Sequence, residues 1–508
     1  MKKIFVSIVT LVSMSALMTI VSCSKENDGD VQFKATMEDC TDIHAKTSLQ
    51  STGDLYWQDG DMVKIYSYTA NGDFAASGDF TASQSDGTST VLSGNVSLGS
   101  GPYKAIYPAS IAQSATTIML PATQTNTNGS PDGFPMYAES TSKMLNFKNL
   151  CGLLKIVLPA KANTTLASAK LTVNEMVSGT ATVSYTDGAR TLTSGGNTIT
   201  VQCNQSLANG GVVWITLPAG SYNGLDLEFT DTKGCVCTLT HKNNASAVPV
   251  NRSQYTTIDL SSTSVTFLPT EGVLNGEFSV SGTKKVRFSK GNLQYNVTNQ
   301  TWQFADNQYD YLGSSNNING VMDLFGWGTG NVPTRTSQNW QDYTNFSDWA
   351  NNAVSNGGGN ADIWSTLSKE EWAYVLNGRT DASGKRATAT VNGVHGVVLL
   401  PDVWSLPSGC TFRSGIANGW NQNSYNDTEW AKMEASGAVF FPAAGCRVGT
   451  DVDNCGSNGH YWSTSTVYNN NYEYAYCFKF GNNSVYNEGQ NKGESHHGMS
   501  VRLVYEVR

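Results

Sequence analysis

The side chains best suited to chemistry or recognition gather near the C-terminal end of the chain. In NYEYAYCFKFGN, residues 471–482, an aromatic ring stands at every second position from Tyr472 to Phe480. Side chains of a β-strand alternate between its two faces, so these rings share one face. That face is either the wall of a core or an aromatic platform that meets a ligand.

The segments on both sides of this strand carry polar side chains that are typical of recognition loops. VYNNNY precedes the rings, and NNSVYNEGQNKGESHHG follows them. Tyr offers a large contact area for few torsions, and Asn offers adaptable hydrogen bonds. We therefore predict ligand contacts from exposed positions here: Asn469, Asn470, Tyr472, Tyr474, Tyr486, Asn487, Asn491 and His496. A solvated Asn-rich loop remains the alternative, with residues 412–427 as a second candidate face.

Catalytic and metal chemistry have weaker support in the sequence. His496 and His497 are neighbours in a loop-like segment, which is a poor chelate, so we expect no metal site. No nucleophile elbow, phosphate-binding loop or dinucleotide fingerprint occurs along the chain. We therefore expect a protein that is not an enzyme and needs no cofactor.

The N-terminus contains one residue with a predicted covalent modification. Two lysines precede an apolar stretch from Ile4 to Ile20, and the sequence IVSC then ends at Cys23. This pattern indicates a signal peptide over residues 1–22. It resembles a lipobox, which implies that Cys23 carries a lipid. The polar tether behind it, residues 23–31, resembles surface-export signals, which implies an anchor in the outer membrane facing the cell exterior.

The remaining cysteines do not define a disulfide framework. Ten cysteines less Cys23 leave nine, so at least one thiol stays unpaired within the chain. Cys235 and Cys237 lie too close along one apparent strand to bond each other. Cys446 and Cys455 bracket a Gly-rich loop and form the better pair. Connectivity beyond this stays open.

Composition and charge narrow the class of partner. The chain of 508 residues has 49 Gly, 13 Pro, 22 Tyr and only 14% charged residues, which is typical of a β-rich, loop-rich protein. Its formal charge of −9 becomes −11 once Lys2 and Lys3 leave with the signal peptide. Because no basic run of five residues occurs, nucleic acid is not an expected partner.

The coarse pattern of elements changes once along the chain. Residues 32–265 read as short strands with turn punctuation, and we interpret them as two β-sandwiches with a joint near residue 144. Two helices follow in a region rich in Trp, Asn and Gly. LSKEEWAYVLNG begins with a capping box from Ser368 to Glu371, and NDTEWAKMEASG repeats the plan from Asn426 to Glu429.

The N-terminal half resembles a known family in the order of its short motifs. FKATMED, KTSL, YWQDGDMVKIYS, YKAIYPAS, LPATQT and LNFKNLCGLLKI look like the landmarks of fimbrillin lipoproteins of the Bacteroides type. The resemblance implies two transthyretin-like β-sandwich domains, at residues 32–144 and 145–262, and fimbrial subunits as partners. Fimbrillins exchange strands after cleavage behind an Arg. Here the first Arg is Arg190, far inside the second domain, so we expect an anchored stalk rather than a shaft subunit.

The C-terminal half resembles a second family. KVRFSKGNLQY, WQFADNQYDYLG, DLFGWGTG, GAVFFPAAGCR, GHYWSTS and GMSVRLV look like the C-type lectin fold, in the branch of formylglycine-generating enzymes and retroelement-variable proteins. The resemblance implies an α+β domain at 284–508 and core positions for Tyr476, Phe478 and Phe480. The segment before it, residues 263–283, has few charges and a Pro, which predicts a linker. The redox cysteine pair and the calcium motifs of these relatives are missing from this sequence.

Together these patterns predict a mainly β protein with two transthyretin-like β-sandwich domains followed by an α+β C-type lectin-like domain. We interpret it as a surface lipoprotein that displays a ligand-binding head on a fimbrillin-like stalk. Its expected partners are a protein or glycan ligand, which the sequence does not identify, and the membrane, through Cys23. The alternative is a structural accessory or tip subunit of a fimbria without a ligand of its own.

Overall fold

The computed structural model describes residues 31–38, 56–127, 130–131, 133–186, 190–241, 247–313, 320–469, 472–486 and 492–507. The signal peptide and the predicted lipid site at Cys23 lie outside these ranges. The chain is mainly β, as the sequence predicts. Within the described ranges, no helix combines the length and the hydropathy that a membrane span requires.

The first unit, the N-terminal barrel, is a sheet that closes on itself. In hydrogen-bonded order its strands are Val31–Met37, Met144–Asn149, Met136–Ser140, Tyr103–Tyr107, Met62–Tyr68, Phe74–Asp86 and Ser89–Gly94. The sheet closes because the first strand pairs on both edges, antiparallel to one neighbour and parallel to the other. Alternation places Phe33, Ala35 and Met37 inside.

The second unit, the middle unit, is built from four sheets. The first contains Gly211–Pro218, Cys151–Leu158 and Tyr255–Asp259, and the second contains Val236–His241, Leu225–Asp231, Thr165–Thr172, Thr198–Ser206, Thr123–Thr127 and Ser130–Pro131. The third contains Arg190–Gly196, Ser178–Val183, Thr117–Leu120 and Ala112–Ser114, and the fourth pairs Gly220–Tyr222 with Val248–Val250.

Strands from residues 112–131 cross from the first predicted domain into the middle unit. Thr123–Thr127 runs parallel to Thr198–Ser206. The side chain of Gln124 accepts a hydrogen bond from the backbone N–H of Thr216 (2.9 Å) and donates to its carbonyl (2.8 Å). The two β units therefore interlock, and the chain passes between them after the strand Met144–Asn149. The limits of the domains stay predictions.

The third unit, the head, joins short strands to two helices. Its strands are Phe278–Ser279, Lys285–Phe288, Leu293–Asn296, Thr301–Phe304, Val321–Met322, Arg386–Val391, Val394–Leu399, Ser424–Tyr425, Val439–Pro442, Cys446–Val448, Asp451–Asp453, Asn458–Asn469, Tyr472–Gly481, Ser484–Tyr486, Lys492–Glu494 and Val504–Glu506. Single 3₁₀ turns lie at Trp340–Tyr343, Trp349–Asn351, Ser383–Lys385 and Gly419–Asn421 here, and at Ala109–Ile111 in the barrel. The head closes where Lys285–Phe288 pairs with Val504–Glu506.

Both predicted helices form, and both begin with the predicted capping box. The first is α-helical over Lys369–Ala373 and widens to a π turn over Tyr374–Gly378. The second covers Asp427–Ala435. At the first helix, Ser368 Oγ accepts the Glu371 N–H at 3.2 Å, and Glu371 Oε2 accepts the Ser368 N–H at 2.8 Å. These reciprocal bonds satisfy backbone donors that a helix start leaves free.

One hydrophobic core runs from the middle unit into the head without interruption. Phe267 and Tyr505 both belong to it, and the Tyr505 hydroxyl donates to the Phe267 carbonyl at 2.6 Å. The backbones of Val236 and Leu268 exchange two further hydrogen bonds at this joint. Residues 263–283, which the sequence presents as a linker, thus contribute buried side chains and a strand to the packed structure.

The structure differs from the expected cysteine pairing. Cys446 and Cys455 are both free thiols. Cys446 lies in the strand Cys446–Val448, and the Cys455 thiol donates to the Ala444 carbonyl at 3.4 Å. Burial raises the pKa of both thiols, so neither is a ready nucleophile at neutral pH.

The shared core predicts that the middle unit and the head unfold together. Phe267 is 2% exposed, so Phe267→Ala should cost about 3–5 kcal/mol through lost burial and the cavity it leaves. We expect one calorimetric transition containing both units to move to lower temperature. Val403→Ala, at a residue that is 88% exposed, is the control and should shift it little. Two separate transitions, of which only one moves, would contradict a shared core.

Candidate functional site

A long antiparallel hairpin, Asn458–Asn469 with Tyr472–Gly481, organises the candidate site. The rings of Tyr476, Phe478 and Phe480 are buried, which confirms their prediction as core. Phe478 packs among Trp372, Phe441 and Tyr461, at ring-centroid distances from 5.0 to 6.2 Å. The base of the hairpin is therefore framework.

A bulge separates this base from the outer part of the hairpin. Trp462 lies opposite Cys477, but the next paired residues are Thr466 and Ala475, so three residues face one. Ser463 Oγ holds the bulge by donating to the Tyr476 carbonyl at 2.9 Å. Bulges bend a strand and change the direction of its side chains. We call the part beyond it, residues 464–469 and 472–474, the hairpin end.

The hairpin end carries part of the predicted ligand face. Residues 464–467 and Tyr474 are half-buried, and Asn469 lies directly opposite Tyr472. Tyr486 ends another strand and pairs with Lys479, five residues along the strand from Tyr474, which is about 17 Å. The structure therefore groups Asn469, Tyr472 and Tyr474 and leaves Tyr486 apart. Asn470, Asn487 and Asn491 lie outside the described residues.

His496 differs from the exposed loop position that we expected, because it is 7% exposed. The chain around it is held at both ends. Glu494 pairs with Tyr474, the Ser495 carbonyl accepts the Trp327 N–H at 2.8 Å, and Gly498 exchanges two backbone hydrogen bonds with Arg447. These contacts are distant in sequence, so local composition could not reveal them. His496 Nε2 and His497 Nε2 approach Glu494 Oε2 at 3.4 and 3.8 Å.

Trp462 and Arg502 are structural residues. Trp462 is buried, and its Nε1–H donates to the Phe325 carbonyl at 2.7 Å. The Arg502 guanidinium is buried and donates to Gln308 Oε1 at 3.0 Å and Asn292 Oδ1 at 3.3 Å. Burial lowers the pKa of Arg502 to about 10, so it stays charged at neutral pH. Both contacts fix the framework below the hairpin.

The second candidate face, residues 412–427, is framework in part. Trp420 is buried and stacks on His395 with ring centroids 5.2 Å apart. Gln422 and Asn423 are buried as well, and their amides donate to backbone carbonyls of Ser414 and Arg413 at 2.8 and 2.9 Å. The side chains of Gln422 and Asn423 are therefore not free for a ligand, whereas Asn418 and Asn421 of the same segment are exposed.

A polar groove of about 400 Å³ lies elsewhere on the head, where the sequence predicted no site. It is lined by Gln294, Tyr309, Asp310, Tyr311, Leu312, Asn392 and Val394. Tyr309 Oη donates to Asp427 Oδ1 at 2.6 Å, and this hydrogen bond raises the pKa of Tyr309 to about 12. The groove combines rings with amides and a carboxylate, a lining that suits a polar ligand.

Asp323 lies buried behind this groove and was also missed. Its Oδ2 accepts the Leu312 N–H at 2.7 Å, whereas Oδ1 has no hydrogen-bond partner among the described residues. Burial raises the pKa of the carboxyl to about 6, against the lowering effect of the Leu312 hydrogen bond. The only signal in the sequence was an acid within the apolar run VMDLFGW.

Across the part of the chain that the structure describes, one group of three side chains could hold a metal ion. It consists of Glu494, His496 and His497, whose ligand atoms all lie within 4.8 Å of one another. From the sequence we expected His496 to contact a ligand and the two histidines to form a poor chelate. We did not expect Glu494 to join them, although the short spacing in GESHH places all three side by side.

Comparisons with known proteins give a family match over part of the head and weak likenesses in structure. Residues 418–504 match the model of a domain of unknown function, DUF8237. No curated protein matches the chain. A fimbrial protein from Bacteroides ovatus is similar at 10% identity and TM-score 0.27, covering 93% of this chain and 98% of that one.

Two further solved structures cover only about half of this chain. A proposed cell adhesion protein from Bacteroides ovatus has 11% identity and TM-score 0.30, over 46% of this chain and 94% of that one. The tip fimbrial protein Mfa3 from Porphyromonas gingivalis has 13% identity and TM-score 0.24, over 45% and 94%. At such TM-scores these likenesses carry no inference about this chain.

The pKa of Asp323 predicts a pH-dependent contribution to stability. The folded pKa of about 6 exceeds the unfolded value of about 3.9, so the native state holds this proton more tightly. The bound proton of Asp323 therefore adds about 3 kcal/mol to the free energy of unfolding. This stabilisation is complete below pH 4 and is lost as the pH rises through 6. Asp323→Asn should lack it, so wild type should lose stability relative to the variant between pH 4 and 7.

Melting temperatures of the two proteins, measured across this range, test the prediction. Asp451→Asn, at an exposed carboxylate in the same head, is the matched control and should track wild type. A constant offset between wild type and Asp323→Asn at every pH would contradict the raised pKa.

Proposed function

We propose that the chain is a surface-anchored lipoprotein whose head recognises a protein or glycan through the hairpin end. The observation that carries this proposal is the change of character at the bulge after Trp462. Below it the strands are buried in a ring-filled core, and beyond it the hairpin leaves that core with half-buried Thr, Val and Tyr residues. A rigid base with an adaptable polar end suits recognition.

The shared core between the middle unit and the head supports the same function. A head that hung from a mobile linker would have to lose orientational freedom on binding, which lowers affinity. Here Phe267, Leu268 and Tyr505 hold the head against the unit before it. The hairpin end therefore keeps a fixed direction relative to the middle unit.

The predicted anchor lies close to the N-terminal barrel. Cys23 precedes Val31, where the first strand begins, by eight residues. Eight extended residues span at most about 28 Å, so a lipid on Cys23 would keep the barrel near the membrane surface. The barrel and the middle unit would then form a stalk, and the head would carry the ligand face.

A structural accessory or tip subunit of a fimbria is the second candidate. The observation that bears on it is the first strand, the element that fimbrillin-like subunits exchange. It pairs on both edges. Behind it Glu38 Oε1 accepts hydrogen bonds from Arg252 Nη1 at 2.6 Å, Ser253 Oγ at 2.8 Å and the Asn149 N–H at 2.8 Å. A first strand free to exchange would favour this second candidate, whereas a strand held on both edges supports the anchored stalk.

Substitutions at the hairpin end test the ligand face. We expect Asn469→Ala and Tyr472→Ala to weaken capture by a printed array of glycans and extracellular host proteins by about 10-fold or more, as loss of an interface Tyr often does. Melting temperatures should change little, because the base of the hairpin is untouched. Val403→Ala is the control for an exposed change elsewhere on the head. Unchanged capture by both variants would move the ligand face to another part of the head.

The anchor has its own test. Cys23→Ser should release the protein from the membrane fraction and abolish labelling by an alkyne fatty acid, because the acylated thiol is gone. Cys40→Ser is the matched control, since Cys40 lies outside the signal-peptide motif. Labelling that survives in Cys23→Ser would contradict the lipoprotein assignment.

A further inference from the structure

Glu494, His496 and His497 form a compact cluster of metal-ligating atoms beside the hairpin. His496 Nε2 lies 3.4 Å and His497 Nε2 lies 3.8 Å from the same carboxylate oxygen, Glu494 Oε2. The two imidazoles meet at 74° with centroids 4.6 Å apart. Both rings therefore point one nitrogen toward one region of space, although they belong to adjacent residues.

We propose that Glu494, His496 and His497 bind a divalent transition-metal ion of the zinc type. Zinc binds imidazole and carboxylate at about 2.0–2.2 Å, and tetrahedral geometry then puts neighbouring ligand atoms about 3.3 Å apart. The two separations given above lie close to this spacing, so small side-chain rotations would complete the site. Two imidazoles and one carboxylate favour zinc over calcium or magnesium, which prefer oxygen ligands.

The backbone holds the three ligands in place, which the sequence did not reveal. Lys492–Glu494 pairs with the hairpin strand next to Tyr474, and the His497 N–H closes a turn onto the Glu494 carbonyl at 2.9 Å. Gly498 is then fixed by its two bonds to Arg447. Because the backbone is fixed on both sides, the three side chains lose little freedom on binding an ion. The two neighbouring histidines are therefore better placed to chelate than their loop-like sequence predicted.

The charge around the cluster also suits a cation. The guanidinium of Arg447 lies against Gly498, the residue after His497. Its N–H groups donate to the carbonyls of Leu324, Gly449 and Arg335, so that charge is already engaged with backbone oxygens.

One side of the cluster faces solvent. The side chains of Glu494 and His497 are 54% and 28% exposed, whereas the side chain of His496 is only 9% exposed. Three protein ligands leave a fourth position on zinc. Since the site adjoins the strand that carries Tyr474, this position could take a water molecule or an oxygen of a bound ligand. The metal site itself does not depend on the proposed ligand face.

Zinc binding by the purified, tag-free protein tests the proposal. Competition with a chromophoric zinc chelator should give one bound equivalent, and zinc should raise the melting temperature while calcium and magnesium should not. Glu494→Gln and His497→Ala should each weaken zinc binding by more than about 10-fold, because even a lost outer partner of a metal ligand costs about that much. Neither side chain is fully buried, so both variants should fold.

Glu370→Gln, at an exposed glutamate on the first helix, is the matched control and should bind zinc like wild type. The free thiols of Cys446 and Cys455 in the head are the competing zinc ligands. Zinc retained at full affinity in Glu494→Gln and His497→Ala would place the ion there and overturn the proposal. Failure of the wild-type protein to take up zinc from the chelator would overturn it as well.

Discussion

The packing of the head against the middle unit is the constraint on which the rest of the molecule depends. Phe267 enters the common core just before the head begins, and Tyr505 enters it just before the chain ends. The hydrogen bond between them joins the two points at which the chain enters and leaves the head. The last strand pairs with Lys285–Phe288, so the beginning and the end of the head are joined. The loops of the head extend from this closed base.

The hairpin connects this packed base with the surface of the head. Trp462 and Ser463 fasten its base and bulge to the framework through the Phe325 and Tyr476 carbonyls. The strand that contains Tyr474 then pairs with Lys492–Glu494, which positions the Glu494, His496 and His497 cluster. The predicted ligand face and the proposed metal site therefore both depend on the position of this one strand. Neither function requires the other.

Local patterns in the sequence predicted local structure well. The two capping boxes, the core rings of the hairpin and the β character of the first half all rest on short-range periodicity or hydrogen bonding. Periodicity gives the face of a strand but not its partner. The passage of residues 112–131 into the middle unit could therefore not be read from the sequence.

The same limit applies to the candidate site. His496 is buried because Trp327 and Arg447, far away in the chain, hold the backbone on either side of it. Glu494 joins the histidines through a turn that composition does not encode. Cys446 and Cys455 show that a favourable spacing in the sequence does not by itself bring two residues together, because both are free thiols.

We propose that the head faces the cell exterior and binds through the hairpin end. The most direct measurement uses two Fab fragments on intact cells, one against the hairpin end and one against the surface around Val403. The account predicts that both stain unpermeabilised cells and that only the first blocks attachment of the cells to a substrate they colonise. Staining by either Fab only after permeabilisation, or full attachment with the hairpin end covered, would contradict it.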